Sequence, residues 1–135
     1  MSDEAFFRLF LAALRASGVS YIDTRDDIHH EKFSAAVERL REAQRRGDPV
    51  ALCMPRGLVP SPITGRFREF DDALVNAQRG FTGAQNPFYP GADLILNEEQ
   101  AVSELEALTK SERDLLLSLA QTFRDTCTPN EDVYA

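Results

Sequence analysis

Six of the seven prolines and six of the seven glycines fall between Gly47 and Gly91. Proline removes a backbone donor and fixes φ, and glycine weakens any regular element, so no long helix or central strand can cross that stretch. Long elements are therefore confined to the two flanks. The middle must be built from loops and short pieces, and it is rich in aromatic residues: Phe67, Phe81, Phe88 and Tyr89. Such side chains point to loops packed on the domain, not to a linker.

The flanks carry helical patterns. Ser2 to Ala16 reads as a first helix, with Ser2 as its cap, Asp3 and Glu4 at its positive end, and Ser17-Gly18 closing it. Phe6, Phe7, Leu9, Phe10, Ala13 and Leu14 cover more than half its circumference. A second helix runs from Asp26 or His29 to Arg46, with Phe33, Ala36, Val37, Leu40 and Ala43 as its apolar stripe, and stops at Gly47 and Pro49. Asp71 to Arg79 reads as a short central helix, capped by Asp71 and stapled by Phe70 on Val75. Asn97 and Ser111 read as caps of a terminal amphipathic pair, with Gln100 and Asp114 in the reciprocal positions. Three short runs, Val19–Asp23, Val50–Met54 and Ala92–Leu96, have the alternation or continuous apolarity of strands. The expected fold is thus α+β: four or five helices around a small sheet, closed by the C-terminal helical pair. The alternative is an all-α domain in which those runs are extended loops. One compact domain over residues 1–128 and a flexible acidic tail over 129–135 complete the reading.

With 135 residues, 43% hydrophobic and 27% charged, the chain has the composition of a folded domain. Its charge is polarised. Residues 93–135 hold ten acids against three bases, which equals the whole net charge of −7. Residues 39–68 hold seven arginines against Glu42 and Asp48. The overall acidity argues against nucleic acid as the main partner. No apolar run reaches the roughly 20 residues of a membrane span. Asp3 and Glu4 stand where a signal peptide needs positive charge. Cys53 and Cys127 are too few to staple a domain of this size, so a reduced, cytoplasmic setting is expected.

No motif specifies a reaction, and none implies a catalytic residue, a metal or a cofactor. Cys53 lacks the phosphatase spacing to an arginine, because Val59 occupies the required position. His29-His30-Glu31 reads as a surface pair near a helix start, since adjacent histidines point about 100° apart. The glycines near Arg56 and Thr64 do not form a phosphate loop, and Ser61 and Thr64 have no general base at a recognisable spacing. Asn86-Pro87-Phe88 matches a short adaptor-binding tripeptide and falls among aromatics expected to be packed. Residues 108–120, about a tenth of the chain, resemble the opening helix of the helix-turn-helix domain of LuxR-type regulators. No recognition helix follows Ala120, so the resemblance implies no function here.

These observations point to a non-enzymatic, acidic protein-binding module of adaptor, chaperone or inhibitor/immunity type, acting on another protein of basic character. The expected contact residues are Glu98, Glu99, Glu104, Glu106, Glu112 and Asp114. The alternative is a small enzyme or a binder of an anionic small ligand, using Arg56, Arg66, Arg68, Asp71 and Asp72 on the central loops. A homodimer is also expected, with Phe6, Phe7, Phe10 and Leu14 as interface candidates, because the first helix offers more apolar surface than one neighbour covers.

Overall fold

A computed structural model of the chain describes residues 1–19, 22, 26–72 and 98–126. Among these residues there are helices and turns and no strand, so the fold is all-α and the α+β expectation is corrected. Among the described residues the helices are α1 (Asp3–Ala16), α2 (Asp27–Arg45), α3 (Pro49–Leu52), α4 (described over residues 68–72), α5 (Glu98–Glu106) and α6 (Lys110–Asp125).

The predicted strand Val50–Met54 is α3 and the turn that follows it. Its two flanking prolines suggested an isolated strand, but Asp48-Pro49 is a helix start. Asp48 Oδ1 accepts from the amides of Val50 at 2.9 Å and Ala51 at 3.2 Å. Pro49 occupies the first helical position, where its missing donor costs nothing. The strand expected at Val19–Asp23 is absent at its described positions, Val19 and Ile22. Val19 instead closes α1. The third strand, Ala92–Leu96, lies outside the described residues.

Two helices end by the same device. Gly18 has φ 91° and donates to the Arg15 carbonyl at 3.1 Å, while Val19 donates to that of Leu14 at 2.9 Å. Gly47 has φ 77° and donates to the Gln44 carbonyl, while Asp48 donates to that of Ala43, both at 3.0 Å. This double closure needs a left-handed residue after the cap, a conformation glycine adopts without strain. Asp48 therefore ends α2 and starts α3. Helix α6 is capped by Thr109, not by Ser111: Thr109 Oγ1 accepts from the Glu112 amide and Glu112 Oε1 accepts from the Thr109 amide, both at 3.2 Å.

Helix α1 is buried along most of its length. It packs on α5 and α6, α2 packs on α3 and α6, and α3 also touches α6. Phe33 of α2 is the hub of an aromatic core. It stacks face to face on Phe70 of α4 at 4.1 Å and meets Phe67 edge-on at 4.9 Å. Phe7 and Phe10 of α1 lie 5.4 and 5.6 Å from the same ring, and Phe10 meets Phe123 of α6 at 6.1 Å. Phe6, Phe7, Phe10 and Leu14 are therefore covered within one chain, each at most 1% exposed. The wide apolar surface of α1 is matched by several neighbours of the same chain.

Candidate functional site

The loop joining α3 to α4 carries the most solvent-exposed aliphatic side chains of the described residues. Leu58 and Phe67 anchor its two ends in the core. Between them Val59 is 62% exposed and Ile63, at the tip, is 92% exposed.

The tip is a built turn. The Ser61 amide donates to the Arg66 carbonyl and the Gly65 amide to the Ser61 carbonyl, both at 2.8 Å. Ser61 Oγ accepts from the amides of Ile63 at 3.3 Å and Thr64 at 3.4 Å, and Thr64 Oγ1 accepts from that of Arg66 at 3.3 Å. Gly65 supplies the positive φ, 70°, that closes it. Pro60 and Pro62 restrict the backbone on either side of Ser61. The turn is tied to α2 as well: Arg66 Nη1 lies 2.8 Å from Asp27 Oδ1.

Beneath it sits His30, only 5% exposed. The Phe67 amide donates to His30 Nδ1 at 3.4 Å, and His30 Nε2 lies 2.8 Å from Asp71 Oδ1. Because Nδ1 accepts, the ring proton belongs on Nε2, donated to Asp71. A histidine–aspartate pair of this kind resembles catalytic machinery, but the nitrogen that would act as a base already receives a backbone amide. The pair joins α2 to α4. The cleft around it, about 290 Å3, is lined by Asp27, His30, Glu31, Ser34, Thr64, Gly65 and Arg66. The expectation of a surface histidine pair is thus corrected for His30. His29 is half-buried, 6.2 Å from the Phe123 ring.

The five residues expected to bind an anion do not converge. Arg66 meets Asp27, and Asp71 meets His30 from within α4, where it was expected as a cap. Arg68 and Asp72 are exposed on α4. Arg56 lines a separate groove beside α2 and α3. The six acids are also divided. Glu104 meets Arg8 of α1 at 2.7 Å, Asp114 meets Lys110 at 2.7 Å, and Glu112 serves the α6 cap. Glu99 and Glu106 are exposed, and the side chain of Glu98 lies outside the described residues. Cys53 ends α3 instead of lying in a buried strand; it is exposed and its thiol donates to the Pro49 carbonyl at 3.3 Å. Cys127 and Asn86-Pro87-Phe88 lie outside the described residues.

Among the described residues, no group of three or more His, Cys, Asp or Glu is placed to hold a metal ion. No helix among them is long and apolar enough to cross a membrane. The exposure of Val59 and Ile63 has one local signal in the sequence: Pro60-Ser61-Pro62 and Thr64-Gly65 are turn chemistry that brackets an isoleucine. No protein-family model, no curated protein and no solved structure matches this chain.

Proposed function

We propose that the chain is a protein-binding module that meets its partner through the loop between α3 and α4. The carrying observation is Ile63, 92% exposed at the tip of a turn closed by its own hydrogen bonds. A single exposed aliphatic residue is ordinary on a protein surface. Here Val59 accompanies it on the same loop, and Leu52 and Arg56 precede it along the chain, both exposed. Aliphatic contacts with an arginine at the rim are a composition suited to a protein partner.

A non-enzymatic role also agrees with the committed hydrogen bonds of His30 and the scattering of the arginines and aspartates. Glu99 and Glu106, though exposed, take no part in the proposed contact, and formation of a homodimer remains part of the proposal. Its surface would lie away from the buried residues of α1.

The test is affinity capture with wild type, Ile63→Asp, and Glu99→Lys/Glu106→Lys. All three changed positions are exposed, so the variants keep the fold. The expected result is a protein recovered by wild type and by the acid-reversed variant, and lost with Ile63→Asp. Equal recovery with Ile63→Asp, or no recovered protein at low salt, would overturn the proposal.

A further inference from the structure

A groove of about 290 Å3 runs between α2 and the segment that follows α3, lined by Arg41, Gln44, Arg45, Leu52 and Arg56. Its shape is fixed by one side chain. Gln44 Nε2 lies 3.0 Å from the carbonyl of Ala51, 3.3 Å from that of Met54 and 3.2 Å from that of Pro55. Those carbonyls belong to the end of α3 and the turn after it, and one amide holds them against α2.

The charge of this groove opposes that of the chain. Arg41 and Arg45, one helical turn apart, share Glu38 at 3.7 and 3.1 Å. Arg56, on the other wall, is exposed and meets no carboxylate among the described residues. Three guanidinium groups therefore face one acid, in a protein whose net charge is −7. Guanidinium groups pair with carboxylates through two parallel hydrogen bonds, which makes them selective for that partner geometry. Leu52 stands among them, 40% exposed. An inorganic anion or a nucleic-acid backbone has no use for that leucine, whereas a peptide with an aliphatic side chain between its acids would cover it.

We propose that this groove takes an acidic segment of a partner protein. The segment would set an aliphatic side chain on Leu52 and carboxylates on Arg41, Arg45 and Arg56. The assignment rests on the protein-binding reading above and adds the chemistry of the partner.

It is tested by fluorescence anisotropy with the full chain and a labelled octapeptide of glutamate, aspartate and leucine. Binding is expected to weaken as salt rises. It should also fall roughly tenfold or more in Arg56→Glu and in Leu52→Asp, with unchanged circular dichroism. The same peptide with serine in place of leucine should bind less tightly by a similar factor, and so should inorganic polyphosphate. Absence of saturable binding would overturn the assignment. So would equal binding of a lysine-rich peptide, of the serine peptide or of polyphosphate, or wild-type affinity in either variant. Partner capture that depends on Ile63 without any binding of the acidic peptide removes the groove assignment alone; failure of both removes the protein-binding reading as well.

Discussion

Asp71 Oδ1 and His30 Nε2 lie 2.8 Å apart although 41 positions separate them in the chain, and the other nitrogen of the same ring accepts the Phe67 amide. One side chain thus joins α2 to both the start and the interior of α4. Replacing His30 with alanine removes both bonds and leaves a buried amide without its acceptor. The expected loss is about 2–4 kcal/mol of unfolding free energy, read by chemical denaturation. Asp71→Asn keeps an acceptor oxygen and should lose about 1 kcal/mol. A His30→Ala protein as stable as wild type would show that the joint contributes nothing.

Phe33 contacts aromatic rings from α1, α4 and the residue before α4. Phe33→Ala should destabilise the protein by about 3–5 kcal/mol, and Phe33→Leu by much less. Equal, small effects of the two changes would mean that the ring cluster is not the organising element of the core.

Helix α1 supplies a sharper contrast. Phe10 is completely buried between Phe33 and Phe123. Phe10→Asp should unfold the chain at every protein concentration, since a charge placed there has no partner and no water. Sedimentation equilibrium of a folded Phe10→Asp monomer would instead place this residue at a contact between copies.

The turn between α2 and α3 separates two local effects. Asp48→Ala removes the acceptor for two amides and should lose about 1–2 kcal/mol, while Asp48→Asn should retain most of the stability. Gly47→Ala meets open space but must adopt φ near 77°, which costs about 1 kcal/mol. Thermal melts that rank Asp48→Asn below Asp48→Ala would contradict the capping role.

Arg8 and Glu104 join α1 to α5 at 2.7 Å with both side chains about one-third exposed. A double-mutant cycle should return a coupling below about 1 kcal/mol that shrinks as salt is added. A larger coupling that persists in high salt would mean that the pair is shielded from solvent.

Much of the helical framework could be read from local chemistry. Ser2 with Gly18, Asp26 with Gly47, and the stripe from Phe33 to Ala43 mark α1 and α2 because caps and periodicity act over a few residues. Val50–Met54 differs from expectation because continuous apolarity does not distinguish a short strand from a short buried helix; the decisive signal is Asp48-Pro49, which starts a helix. His30 was legible in principle, since it shares a helical face with Phe33 and Val37 at spacings of three and seven. Its partners could not be seen, because Phe67 and Asp71 reach it only through tertiary folding. The same limit explains the scattered site residues. Arg56, Arg66 and Asp71 are close in sequence, yet each is drawn to a different side chain or groove.

For the proposed contact through Ile63, the Ser61–Arg66 turn has a consequence for association kinetics. Its amides are satisfied within the turn and its two ends are anchored by Leu58 and Phe67, so Ile63 is held outward before any partner arrives. Little conformational entropy remains to be lost when it is covered. A partner should therefore be captured at its first correctly oriented encounter, without waiting for the loop to order, and substitutions at Ile63 should alter how long the complex lasts more than how fast it forms.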